Sequence, residues 1–395
     1  MTQPLTGNAG LHVRYEKAGL IFDALPIPWN ADAVIVEANV KLPAKAPRLK
    51  QDFTLRFADG SLPAVAELVH ESEKSAALRV FFRIGVPGRD TAAEFFWREH
   101  ALGRVELPIL SATTFKEEIA LTMPALHVGF GEQTAACRGF VGVQAKNVFA
   151  SAVIRSPRPL APALHIDLRV NIERENGERV ASVLVPWTSD LLRAREAPVA
   201  VQLPKFGMVG SYRVSWHFGS RELCVHTVRV LGRKGFQQAL RICATRYLAN
   251  MADGTVRSLS TLPTRDGRLW VDGVVDVTPC FYVCSGVAGT AGLAPFALRA
   301  LANEVVNTLA IQDNILVTDG PTPILLAAVP VGELTGLRHF TLASGERVLG
   351  NLPLLAAPQA DFTAEGGFQP LDDFLWSPAA DEQLKDRLGK LLDGG

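Results

Sequence analysis

Residues 164–185 read LHIDLRVNIERENGERVASVLV. Leu164, Ile166, Leu168, Val170 and Ile172 alternate strictly with His165, Asp167, Arg169, Asn171 and Glu173. A period of two sends every apolar side chain to one face of a strand, so one face is buried and the other is wet. Asn176-Gly177 supplies the left-handed backbone positions of a tight hairpin turn, and Val180 to Val185 is the return strand. This stretch predicts a half-buried antiparallel sheet and sets the fold class as mainly β.

The strand pattern continues on both sides of it. Tyr212, Val214, Trp216 and Phe218 alternate, Gly219-Ser220 makes a turn, and Leu223 to Val230 forms a closing strand. Upstream, Phe95-Phe96-Trp97 is followed by a loop through Gly103 and by alternating Val105, Leu107 and Ile109. Both endings place a tryptophan in an aromatic strand before a last strand. The pattern resembles an internally duplicated immunoglobulin-like sandwich ending. Val34 to Val40, Phe53 to Phe57 with Asp59-Gly60 behind it, and Leu78 to Ile84 complete the strand signals of the first region. Two tandem immunoglobulin-like β-sandwich domains are therefore expected, over residues 1–120 and 121–232.

The period then changes. Leu240, Cys243, Ala244, Tyr247, Leu248 and Met251 fall at helical spacing, which predicts an amphipathic helix from Phe236. Strands are expected at Val256 to Leu262, Leu269 to Val277, Phe281 to Cys284, Ile315 to Val317 and Ile324 to Val331. A second helix is expected over Pro295 to Ala310, with Leu298, Leu301, Val305 and Leu309 on one face. Residues 233–350 thus read as a mixed α/β domain. Residues 351–395 read as an extended arm with a short terminal helix. Its anchors are Phe368, Phe374 and Trp376, followed by the Leu384 and Leu388 stripe after Ser377-Pro378.

Composition narrows the function classes. Of 395 residues, 48% are hydrophobic and 20% charged, which suits packed cores rather than disorder. Lys plus Arg and Asp plus Glu are 40 each, so the broad basic footprint of a dedicated nucleic-acid binder is missing. Lys41, Lys45, Arg48 and Lys50, interleaved with prolines, read as a solvated linker. Residues 1–10 lack the charged and apolar regions of a secretory signal, and a cytoplasmic location is expected. Val277 to Leu298 is uncharged and long enough for a bilayer, but its glycines and prolines suit a buried strand, loop and helix. Five scattered cysteines suggest reduced thiols rather than a disulfide framework.

Candidate chemistry is sparse. Cys284-Ser285-Gly286-Val287-Ala288-Gly289-Thr290-Ala291-Gly292 follows an expected strand and opens an expected helix. Amides at such a helix start would cradle an anion, which makes Ser285, Gly286, Gly289, Thr290 and Gly292 ligand-binding candidates. The spacing matches neither the dinucleotide fingerprint nor a P-loop. Cys280 and Cys284 share a strand face about 13 Å apart, too far for mutual bridging. Cys224 with His226, Cys284 with His339, and Asp266, Asp272 and Asp276 are residue types that could serve catalysis or hold a metal, but buried thiols and turn aspartates explain them as well. No catalytic residue, metal or cofactor is expected.

The functional expectation is a non-enzymatic structural or interaction protein. It would be a subunit of an intracellular or virion-type assembly, in contact with other subunits or copies of itself. The alternative is a small-ligand or nucleotide-binding protein that uses residues 285–292.

Overall fold

A computed structural model describes residues 9–41, 50–57, 64–65, 67–69, 77–259, 262, 264–265, 268–269, 273–302 and 304–354. Phe368, Phe374, Trp376, Leu384 and Leu388 lie outside the described residues, as do Asp266 and Asp272. The described chain is mainly β, and its apolar side chains gather into three large cores.

The central hairpin forms as strands Leu168–Arg174 and Arg179–Leu184, with Gly177 at φ +83° in the turn. Leu168, Val170 and Ile172 enter the core at no more than 1% exposure. The first strand starts later than its alternation suggests, because Ala161–His165 turns into a 3-10 helix around Pro162. Asn171 is buried on this strand and accepts a 2.7 Å hydrogen bond from the Ser182 hydroxyl on the return strand. That bond removes the cost of burying its amide oxygen.

The three cores are enclosed in the same way. If the eight main strands around each core are counted in chain order, one sheet runs 2-1-3-6 and the other 5-4-7-8. In the first sandwich these strands begin with Gly10–Lys17 and end with His100–Leu107. In the second they run from Ala120–Phe130 to Arg221–Leu231, and in the third from Leu240–Met251 to Arg347–Pro353. The duplicated ending seen in sequence is therefore part of a threefold recurrence of the whole connection order.

This corrects the expectation for residues 233–350. Among the described residues of that region, the helical segments are Arg233–Ala239 and a single 3-10 turn, Val331–Leu334. Leu240–Met251, expected as a helix, is a strand paired with Val274–Ser285. Its inner face meets the third core through Tyr247 and Ala249, and its outer face buries Leu248 against Cys280, Tyr282 and Leu325. Burial on both sides over Arg246 to Ala249 removes the alternation there, and a bulge between Ile242 and Ala244 shifts the phase further. The second expected helix is a hairpin, Thr290–Ala302 with Val305–Val317. Phe296, Leu298 and Ala300 alternate into the core there, so tertiary burial overrides the helix propensity of an Ala- and Leu-rich run.

Seven-residue helices precede the second and third sandwiches, Ala112–Glu118 and Arg233–Ala239. Each carries a fully buried phenylalanine at its fourth position, Phe115 and Phe236, inserted into the core that follows. Each is closed by an arginine from the last hairpin of that same sandwich. Arg221 Nη1 donates to the carbonyls of Lys116, Glu117 and Ile119 at 2.5, 3.1 and 3.0 Å. Arg347 Nη1 donates to those of Gln237, Gln238 and Leu240 at 3.0, 2.6 and 3.2 Å. A cation on the unpaired carbonyls of a helix end satisfies acceptors and complements the dipole.

Candidate functional site

Ser285 ends one strand and Thr290 begins the next, so the glycine-rich segment is a strand-to-strand loop. No helix follows it, which removes the helix-terminus field that an anion cradle needs. Its amides are engaged within the protein. Ser285 N donates to Thr318 O at 2.7 Å and Gly286 N to Ala239 O at 2.8 Å. Val287 N reaches the Ser285 hydroxyl at 3.3 Å, Gly289 N the Asp319 carboxylate at 2.8 Å, and Thr290 N the Val287 carbonyl at 3.2 Å.

The glycines are required by close approach. A Cβ on Gly286 would stand 2.5 Å from Ala239 O. One on Gly292 would stand 2.7 Å from Val141 Cγ2 and 2.9 Å from Phe236 Cε1. Gly289 takes φ +67°, and its carbonyl accepts from Arg138 N at 2.7 Å and Gly139 N at 3.0 Å. The structure brings the five candidate residues together at the seam between the second and third sandwiches.

That seam is a continuous sheet. Gly139–Val141 pairs in parallel with Arg229 to Leu231 of the second sandwich, and its Gly139 and Phe140 with Thr290 and Ala291 of the third. A nine-stranded sheet results. Ala291 sits in the second core, with Leu293 and Leu316 packed against it. Gln144 extends the pairing with its side chain, donating Nε2 to Leu293 O and accepting from Leu293 N, both at 2.8 Å. Gln144→Ala would leave both backbone groups of Leu293 without these partners and should cost about 1–2 kcal/mol in urea denaturation. A loss below a few tenths would mean that water replaces the amide freely.

The join between the first and second sandwiches combines a short backbone ladder with side-chain contacts. Ile109 and Leu110, the latter in the second core, pair in parallel with Ile27 and Pro28, and Trp29 N donates to Leu110 O at 3.0 Å. Asn30 Nδ2 donates to Pro162 O at 2.9 Å, and Trp29 packs on Phe115 with ring centroids 5.7 Å apart. Arg158 Nη1 donates across the join to Leu25 O at 3.4 Å, and on its own side Arg158 grips Glu118 through two 2.8 Å bonds and holds that carboxyl below the usual range.

The remaining candidates stay apart. Cys284 and His339 lie on opposite sheets of the third sandwich. Asp276 accepts a 2.6 Å bond from Asn250. Among the described residues, no group of three or more His, Cys, Asp or Glu side chains is placed to hold a metal ion. No described helix is long and apolar enough to cross a membrane. Cys224 and His226 face the second core beside Val228 and Val230. Neither ring nitrogen of His226 has a hydrogen-bond partner, and burial, then Arg138, lowers its pKa. The unfolded chain therefore binds this proton first as pH falls below about 6.5, and stability is lost on the acid side. His226→Gln should flatten the decline in stability between pH 7 and 5, measured by denaturation at each pH.

Two signals for this arrangement were present in the sequence. Gly-x-Arg-x-Leu occurs at 219–223 and again at 345–349, marking the two arginine clamps. A phenylalanine followed by apolar residues four and six positions later occurs at Phe115, Ile119 and Leu121, and at Phe236, Leu240 and Ile242.

No family model matches the chain. No curated protein matches it. Among solved structures, a tandem of domains from titin is similar at 10% identity over 80% of this chain and 90% of that one, with a TM-score of 0.25. Domains 6-7 of the surface layer protein SbsC are similar at 10% identity over 56% of this chain and 98% of that one, with a TM-score of 0.23. Scores of this size decide nothing, and the sandwich architecture rests on the strand pairing and cores described above.

Proposed function

We propose that this chain is a non-enzymatic structural or interaction protein, a subunit of a larger assembly of intracellular or virion type. Its partners are other protein subunits or copies of itself. The observation that carries this reading is the edge strand Val305–Val317. Among the described residues it pairs on one side only, with Thr290–Ala302. Val305, Val306, Leu309 and Ile311 are 58%, 59%, 37% and 69% exposed, and Asp313 is its only charged residue.

Bulges at Leu309 and at Asp313 and Asn314 interrupt this edge, but it carries no lysine or proline and, among the described residues, no covering element, and an apolar edge of this kind invites another strand. The matching strand of the second sandwich, Arg179–Leu184, is six residues long and carries Arg179 at its start. A thirteen-residue edge is smaller than the roughly 800 Å² per partner of a stable interface. The arm bearing Phe368, Phe374, Trp376, Leu384 and Leu388 supplies the further contact in this reading.

Light scattering across a concentration range tests both parts. Full-length protein should be oligomeric, and Ile311→Lys with Val306→Lys should shift it to monomer with an unchanged circular dichroism spectrum. Truncation after Leu354 should also weaken assembly. If the doubly substituted chain assembles as well as the parent, the edge strand has no part in it. A parent that is monomeric throughout, and that retains no other protein, would sink the reading. The small-ligand reading gains no support from a loop whose amides are already bonded.

A further inference from the structure

The five cysteines differ in setting. Cys137 and Cys280 are buried, whereas Cys243 is at the surface and Cys284 is half-buried on the neighbouring strand. Arg241 stands opposite Cys284, and Ala244 stands opposite Tyr282. In a regular ladder Cys243 itself would face Tyr282, on the diagonal from Cys284 at about 7–8 Å. The bulge between Ile242 and Ala244 places it between Val283 and Tyr282 instead, a step nearer Cys284. Bulges re-aim side chains in this way. The Cys243 thiol donates across the strands to Tyr282 O at 3.4 Å, which puts its sulfur over the strand that carries Cys284.

We propose that Cys243 and Cys284 are a thiol pair that closes to an intramolecular disulfide in the presence of an oxidised low-molecular-weight disulfide. The surface thiolate of Cys243 attacks one sulfur of oxidised glutathione, forming a mixed disulfide and releasing one glutathione. Cys284 then attacks the Cys243 sulfur and releases the second. The two thiol protons leave with the two glutathione molecules, which carry the electrons from the cysteines. The product ties strand Leu240–Met251 to strand Val274–Ser285 beside the loop that reaches the second sandwich. Burial, and after it the Cys284 thiol, pushes the Cys243 thiol up to about 12. Since the thiolate is the attacking species, closure is slow at neutral pH and accelerates about tenfold per pH unit below that value.

The test is to incubate reduced full-length protein with oxidised glutathione at about pH 9, where the thiolate fraction is about a hundredfold that at neutrality, count thiols in denaturant and map the product by mass spectrometry. The expected count falls from five to three, the mass drops by two hydrogens, and one peptide pair joins residues 243 and 284. Cys243→Ser, at a surface position, should fold normally and form no such bond, whereas Cys224→Ser should close like the parent. Retention of all five thiols would overturn the proposal. So would a stable glutathione adduct at Cys243, or a disulfide that joins any other pair.

Discussion

Replacing Gly292 by valine should lower the stability of the protein by about 3 kcal/mol, the upper part of the range for an overpacked core. The first added carbon already falls 2.7 Å from Val141 and 2.9 Å from Phe236, and valine adds two methyl groups beyond it. Neither neighbour has room to withdraw. Both are fully buried, Val141 on the strand bonded to the second sandwich and Phe236 on the helix clamped by Arg347. The lesion sits where the sheets of two sandwiches merge, so it should also uncouple their melting. Urea denaturation followed by tryptophan fluorescence and by limited proteolysis of the third sandwich should show a separate early transition. A single transition with a loss under 1 kcal/mol would mean that the seam is far more plastic than its packing implies.

Phe115→Ala should cost about 3–5 kcal/mol, the usual range for removing a buried aromatic ring. Phe115 is fully buried, with Trp29 of the first sandwich at 5.7 Å on one side and Phe218 of the second at 6.1 Å on the other. Its ring is the middle member of an aromatic bridge, and truncation leaves a cavity where two sandwiches meet. The expected readout is a lowered midpoint together with increased hydrogen exchange around Trp29 and Phe218. Phe115→Leu should recover most of the loss, because it restores volume without the ring. If alanine and leucine were equally harmful, the ring contacts rather than the filled volume would set the cost.

Much of the first two sandwiches was legible from residue order alone. Their sheets have a wet face, so the alternation at 168–172, 53–57 and 212–218 survives as a period of two. The third sandwich was obscured for a physical reason. Its strand Leu240–Met251 is buried on both faces over Arg246 to Ala249 and bulged at Cys243, and the resulting spacing imitates a helix. Residues 295–310 were misleading through local propensity, since alanine and leucine favour helix until a facing sheet offers a better burial. The glycine loop was legible as a place of close backbone approach. What approaches is Ala239, Val141 and Phe236, and these lie far away in sequence. The duplicated ending was legible as well. Its third occurrence lacks the tryptophan that marked the first two and keeps instead the arginine after the turn.

The strand Gly139–Val141 has a mechanical consequence. It is only three residues long, yet it is bonded side by side to one sandwich and to the next. Tension that drew the second and third sandwiches apart would load a stack of parallel backbone bonds. The first junction has fewer bonds to load, one two-residue parallel ladder of Ile27 and Pro28 with Ile109 and Leu110 and a few side-chain grips. Under load the chain should therefore yield first near Trp29 and Arg158, with the second and third sandwiches stretching as one stiff element. In an assembly that bears strain, the compliant point lies toward the amino-terminal third, well away from the apolar edge proposed to hold the next subunit.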